Sequence, residues 1–266
     1  DRVSQFALAA SAQAVRDADL AFDQADRQRA GVFIGTGMGG AQSTDEGYFS
    51  LYGEGSNRVK PYSVLMAMNN AAASWIGIEY GLNGPNLTYS TACSSSAVAI
   101  GEAARRIVGG EVDMMIAGGS EAPLTYGTLV TWDAMKTLAS EDLQDPAASC
   151  KPFARDRTGL VLGEGSGIVV LEDWQHAQAR GARIHAELVG YGLCTDASHI
   201  TRPTVEGQAA AMRRALESAR ASVHSVGQRE LEAVRAHLSE LAQEHDGEPA
   251  VARARLSCES VSGLPP

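Results

Sequence analysis

The sequence predicts a layered α/β protein, and three observations predict it. The 28 glycines and 6% aromatic content of the 266 residues suit tight strand-to-helix turns better than a coiled coil or an all-β sandwich. Short apolar runs of strand length alternate with segments of helical spacing. A hydrophobic content of 44% is enough for a substantial core, in one large domain or two closely packed halves.

In chain order, Val3, Phe6, Ala7, Ala10 and Ala14 recur at helical spacing, and a polar stretch through Arg29 leads into the apolar run Gly31 to Gly35. These read as helix, loop and strand. GTGMGG at 35–40 opens a glycine-rich bend and a long irregular segment, in which AQSTDEGYFS does not read as a helix. KPYSVLMAMNNAAASWIGIEYGL at 60–82 reads as a buried helix that cannot begin before Pro61. Leu87 to Thr91 is a predicted strand. From Ser94 the pattern turns helical, with Ala97, Ile100, Ala104 and Ile107 on one face and Gly109-Gly110 as the stop.

A strand from Val112 to Ala117 precedes GGSEAP, and another from Gly167 to Leu171 closes the glycine-rich turn GLVLGEGSG. Asp173 can cap a short helix ending near Gly181, Ile184 to Val189 reads as a strand, and Val205, Ala209, Met212 and Leu216 trace a further helix. Beyond Ser222, Leu231, Val234, Leu238 and Leu241 step by three and four residues, which reads as one amphipathic helix followed by a loose polar tail.

A net charge of −10 argues against nucleic acid as a partner. Cys93, Cys150, Cys194 and Cys258 stand far apart with no CxxC pair, so neither a zinc ribbon nor a disulfide scaffold is expected, and a reducing, cytoplasmic setting is the simplest reading. No apolar run approaches the ~20 residues that cross a bilayer, so no membrane span is expected. Asp1-Arg2-Val3 carries neither an initiator methionine nor a signal pattern, and the chain is expected to begin inside a longer product.

Cys93 sits where strand gives way to helix. Unpaired N–H groups and the helix dipole at such a point favour thiolate, the species that attacks a thioester. The small neighbours Ala92, Ser94, Ser95 and Ser96 leave room for an acyl carbonyl. On this pattern alone a cysteine beside alanine is more often an ordinary small buried hydrophobe. Gly35, Gly37 and Gly40 satisfy GxGxxG after a strand, but with no helix expected next and no acidic residue at a second strand end, tight backbone packing is the better reading than a nucleotide site. GEGSG at 163–167 lacks the Lys-Ser/Thr ending of a phosphate loop.

GPNLTYSTACSSS, AIGEAARRI, VDMMIAGGSE and KPFARDRTGLVLGEGSGIVVLED follow one another in the order and spacing of the elongating, synthase II-like β-ketoacyl-acyl carrier protein synthases of the thiolase superfamily. The resemblance runs from about Asp1 to Leu216. It implies a thiolase-like layered αβαβα fold, incomplete at both ends: residues 1–182 as an N-terminal half lacking its start, 183–221 as the beginning of a C-terminal half, and 222–266 as a divergent amphipathic helix and tail. Cys93 falls on the family's acylated cysteine, Met38 on the floor of its acyl pocket, and Trp132 on an aromatic pocket wall. Asp196, His199 and Thr201 match a loop that gates the pocket. By themselves Met38 and Trp132 read equally well as core residues, and His199 as a loop histidine.

The resemblance implies decarboxylative Claisen condensation in fatty-acid or polyketide biosynthesis, without metal or cofactor. The implied partners are acyl carrier protein, bearing phosphopantetheine-linked acyl and malonyl groups, and a second copy of the chain, joined through the strand ending near Thr91. The family's two downstream histidines lie in HGT-type and GHxxGA-type motifs, and none of His176, His185, His199, His224, His237 and His245 has a glycine neighbour. Lys60, Lys136 and Lys151, the only lysines, all precede the place of the family's lysine. A truncated or frame-shifted synthase is therefore expected, with a non-catalytic dimerisation or carrier-protein-binding partner as the alternative.

Overall fold

β-Branched and small residues set the strands, and the helices between them bury one stripe each. In the computed structural model, which describes residues 1–220, the elements run α1 (Arg2–Asp17), α2 (Gln24–Gln28), β1 (Ala30–Gly35), α3 (Ala41–Tyr48), α4 (Ser63–Ala67), α5 (Ala71–Tyr80), β2 (Asn86–Tyr89), α6 (Ser95–Val108), β3 (Met114–Glu121), α7 (Tyr126–Ala134), β4 (Gly165–Glu172), α8 (Trp174–Ala179) and α9 (Val205–Ala219). The helix and tail expected over 222–266 lie outside the described residues. The chain divides into two compact units, the first Asp1–Glu187 and the second beginning at Leu188.

In the first unit the strands form one sheet in the order β2-β1-β3-β4. The first three are parallel, with Val32 opposite both Asn86 and Ile116, and β4 returns antiparallel with Val170 opposite Ile116. β1 is buried along its whole length, as a strand covered on both faces must be. Its residues alternate between two cores. Val32 and Ile34, with Ile116 of β3, meet Ala7 and Val15 of α1 and Ala72, Ala73 and Ile76 of α5. Phe33, with Met115 and Ala117, meets Ala99 and Ala103 of α6 on the other side. This makes a helix–sheet–helix sandwich, each large side chain contributing about 1.5–3 kcal/mol by leaving water.

Several local expectations need correction. AQSTDEGYFS is helical over Ala41–Tyr48, although its glycine and β-hydroxyl residues are poor formers. Its free first turn is met from far away, with Ser43 N–H donating to Asp1 Oδ2 at 2.7 Å, so a tertiary contact overrides weak propensity. The 60–82 segment is two helices rather than one, because Met68 is extended where the Gly39-Gly40 backbone packs against Ala67 and Asn69. Only α5 of the pair is buried.

On α6 the buried stripe is Ser95, Val98, Ala99 and Ala103, one residue round from the expected face. Ala97 is exposed, while Ile100 and Ile107 pack at the core's margin. β3 runs on through GGSE to Glu121, past the expected strand end at Ala117. Those glycines lie inside a ladder where a Cβ on Gly118 would stand 2.1 Å from Gly167 O.

Ile184 to Val189 is not a strand, since no described strand lies beside it to take its backbone groups. In the second unit α9 forms as expected, but Val205 and Met212 stay exposed. It instead lays Ala211 and Ala215 on Gly192 and Gly190, where a Cβ would come within 2.3 and 2.4 Å of their carbonyl oxygens.

Candidate active site

Parallel strands end together, so the turns after β1, β2 and β3 open on one side of the sheet. Two glycines let α6 start directly above those ends. A Cβ on Gly35 would stand 2.2 Å from the Ser95 carbonyl carbon, and one on Gly119 would stand 2.7 Å from Ser96 Cβ. Cys93 lies in the turn between β2 and α6 and is an exposed free thiol.

That turn is strained and then tied down. Ala92 holds φ at +52°, a left-handed conformation that costs a side-chain-bearing residue roughly 1–2 kcal/mol. Ser95 Oγ accepts the Thr91 N–H at 2.8 Å and donates to the Ala92 carbonyl at 2.6 Å. Ser94 Oγ donates to the Thr91 carbonyl at 2.8 Å. Ser94 is also the N-cap of α6 and makes no capping bond with its side chain, so the helix end beside Cys93 has no side-chain acceptor over it. The serines that read as small neighbours of the thiol are thus the ties of its turn.

Met38 lies in the turn after β1 and is 45% exposed, which sets aside the core-methionine reading for the described residues. Its turn is clamped by Glu121, the last residue of β3, which the sequence reading missed. The Glu121 carboxylate accepts N–H groups from Gly37 and Met38, the latter at 3.2 Å, and the Thr36 hydroxyl at 3.3 Å. The GxGxxG pattern is therefore followed by a helix after all, but the N–H groups that would cradle a phosphate already hold a carboxylate. A negative charge stands where a second one would have to bind.

Trp132 is half-buried on α7, a helix whose Tyr126, Leu129 and Val130 are exposed. No hydrogen bond joins Trp132 or Met38 side chains to the Cys93 turn. A groove of about 480 Å³ lined by residues including Arg2, Glu46, Arg58, Lys60 and Met66 contains none of the predicted site residues. Among the described residues no cluster of His, Cys, Asp and Glu is suited to a metal, and no helix is long and apolar enough to cross a membrane.

Asp196, His199 and Thr201 share one loop of the second unit, leading into α9. Asp196 Oδ2 accepts the Thr204 N–H at 2.6 Å and the Thr204 hydroxyl at 2.9 Å, while Thr204 caps α9. Hydrogen bonds from Ser198 and Thr204 hold the Asp196 carboxyl below the usual carboxylate range. His199 is exposed, and its Nδ1 accepts the Thr201 N–H at 3.1 Å. These three residues form a local turn network.

Residues 1–177 match the family described as Beta-ketoacyl synthase, N-terminal domain. The chain belongs to the β-ketoacyl synthase family. The 3-oxoacyl-[acyl-carrier-protein] synthase 2 of Staphylococcus aureus is 41% identical over 221 residues, covering 82% of this chain and 54% of that protein. A type II polyketide synthase acyl carrier protein in complex with its ketosynthase superposes with TM-score 0.78 at 32% identity, over 84% of this chain and 56% of that one. The ishigamide ketosynthase/chain length factor gives TM-score 0.76 at 33% identity, over 83% and 53%. The layered α/β fold of this ketosynthase-family chain is thus the thiolase-like one of solved ketosynthases. The chain spans about half the length of the relatives it matches.

Proposed function

We propose that the protein is a β-ketoacyl-acyl carrier protein synthase and that Cys93 is its acyl-accepting nucleophile. The supporting observation is the exposed thiol in a left-handed, serine-tied turn above the carboxyl ends of three parallel strands. A thiolate there attacks the carbonyl carbon of a carrier-bound acyl thioester. The new C–S bond forms at Cys93, the old one breaks, and the phosphopantetheine sulfur leaves and takes up a proton. In the second half of the proposed cycle malonyl carrier protein loses carbon dioxide and its carbanion attacks the acyl-cysteine. The family places two histidine motifs at that step, and neither occurs among these 266 residues.

Met38 and Trp132 are proposed to bound the acyl chain, and the Asp196–Thr201 loop to gate it. Acyl carrier protein is the proposed donor, as the complex among the structural relatives suggests by analogy. Residues 1–182 and 183–221 are assigned to an N-terminal thiolase-like half and the start of a C-terminal one. A homodimer joined along β2, in a cytoplasmic setting, completes the reading. A non-catalytic partner role is the second reading, favoured by the ketosynthase/chain length factor among the relatives.

The test is intact-protein mass spectrometry after incubation with an acyl-carrier thioester. An acyl adduct that maps to Cys93 and disappears in Cys93→Ala is expected. An unmodified protein, or an adduct that survives the substitution, would overturn the assignment.

A further inference from the structure

We propose that His176 is a proton-operated clasp that fastens α2 to the end of β4 as the pH falls through the histidine range.

The clasp stands at the end of the sheet opposite the Cys93 turn, because β4 is antiparallel and its last residue, Glu172, lies beside Met114 at the start of β3. The Glu172 side chain is almost wholly covered, at 8% exposure. Arg180 donates to both of its oxygens, at 2.7 and 2.6 Å, and to the carbonyl of Ala18, the C-cap of α1, at 2.9 Å. His176 places Nδ1 2.6 Å from Glu172 Oε1. A carboxylate held by an arginine accepts the Nδ1 proton, and Nε2 of the neutral imidazole is then a bare lone pair. That lone pair faces Asp26 Oδ1 on α2, 3.8 Å away.

Asp26 is the group left without a match. Its side chain is 23% exposed, and among the described residues His176 is its one ion-pair partner. Its Oδ2 already accepts the Asp23 N–H of its own capping box at 3.2 Å. The neighbouring charges are satisfied elsewhere. Asp113, ahead of β3, pairs with Arg29 beyond α2, and Glu172 pairs with Arg180. Asp173 accepts the Gln175 and His176 N–H groups at the start of α8. Asp19, past the end of α1, and Asp26 itself act on Arg180 through space.

With the imidazole neutral, a lone pair and a carboxylate oppose each other between α8 and α2. Protonation sets an N–H⁺ between two carboxylates, keeping the Glu172 bond and adding an attraction to Asp26. Histidine is the side chain whose ordinary value allows this change between about pH 5 and 8. The element it holds is weakly anchored, since α2 has five residues and none of them is buried. The Arg27 and Arg29 amides donate to the Asp23 and Asp26 carbonyls at 3.1 and 3.0 Å, so loosening the first turn of α2 exposes them. The far end is stitched separately, the Arg29 carbonyl accepting the Asp113 and Met114 N–H groups. That makes α2 a strap hinged at β1 and released at Asp23–Asp26.

The experiment reads hydrogen-exchange protection at the Arg27 and Arg29 amides of the 266-residue chain at about pH 5.5 and about pH 8, corrected for intrinsic exchange, with the Phe33 amide of β1 as the reference for global opening. Protection is expected to be about two- to fivefold higher at the lower pH, the size of one partly exposed ion pair. Asp26→Asn and His176→Gln should each abolish that difference. Asp26→Glu, which keeps the charge, should retain it, as should His185→Gln, which removes only the exposed pair with Asp17. Equal protection at both pH values in the unsubstituted chain overturns the proposal, as does a difference that survives both Asp26→Asn and His176→Gln. A pH dependence shared equally by Phe33 overturns it too, because the whole fold and not the strap is then responding.

Discussion

Ser95 is buried under the nucleophile turn, and its single hydroxyl both accepts from Thr91 N and donates to Ala92 O. Replacing it with alanine removes both of these part-buried hydrogen bonds, each worth about 0.5–1.5 kcal/mol. Ser95→Ala is therefore expected to lower the urea midpoint and to slow Cys93 acylation more than alkylation of exposed Cys150, read by peptide mass spectrometry. The position before the thiol is subject to a different constraint. Ala92 at φ +52° tolerates a methyl group, but a β-branched side chain in that region is an outlier. Ala92→Val should destabilise the fold by about 1–2 kcal/mol in chemical denaturation. Cys93 owes its place to these neighbours, and the strain in its turn is borne by the hydrogen bonds of Ser94 and Ser95.

Among the elements, β3 carries the most constraint, because it pairs on both sides and supports both turns of the site. A Cβ at Gly118 would meet the backbone of β4, 2.1 Å from Gly167 O and 2.9 Å from Ile168 Cα. Neither is a side chain that can swing away, so Gly118→Ala should cost about 1–3 kcal/mol and lower the thermal midpoint without altering the chemistry at Cys93. The end of β4 is held by charge. Burial of Glu172 disfavours its charged form, but hydrogen bonds from Arg180 and His176, at 2.6–2.7 Å, outweigh that and hold its carboxyl below the ordinary value of 4.5. A depressed folded-state value means the stabilisation is present above the unfolded value and is lost as the pH falls through the folded one. Stability should thus be steady from neutral pH to about pH 5 and decline below it, and Glu172→Gln should flatten that decline, as read by urea midpoints across the range.

At the scale of the molecule, β2 is an edge strand among the described residues, and Leu87 on it is 44% exposed. An unpaired edge with apolar residues invites a second strand, and light scattering at micromolar concentration is expected to report a dimer. A monomer would set aside pairing along β2. The 266-residue polypeptide is further expected to accept an acyl group yet release no carbon dioxide from malonyl carrier protein above a boiled control. Acylation needs a thiolate and donors to one thioester oxygen, whereas decarboxylation also needs donors to an enolate, each worth ~10²–10³ in rate. Release above the control would mean that another group, such as exposed His199, stabilises the enolate.

The sequence alone determined where most elements lie, because helical and strand periodicities are local. Residues 2–17 and 205–219, the strand-to-helix switch at Cys93, and the Asp173 cap were all legible from residues a few positions apart. The family was legible for a related reason: its motifs are contiguous runs around Cys93. Tertiary structure decided whatever depends on a distant partner. Asp1 completes α3 across 42 positions, and β4 draws Gly118 and Gly119 into a ladder beyond the expected strand end at Ala117. The run at 184–189 is in no strand, with no described strand paired to it. Glu121 reaches across 83 positions to the amide of Met38. Periodicity reports which face of a segment is apolar; it carries no information about which far residue will supply the missing hydrogen bond, because that pairing exists only once the sheet has brought strand ends together.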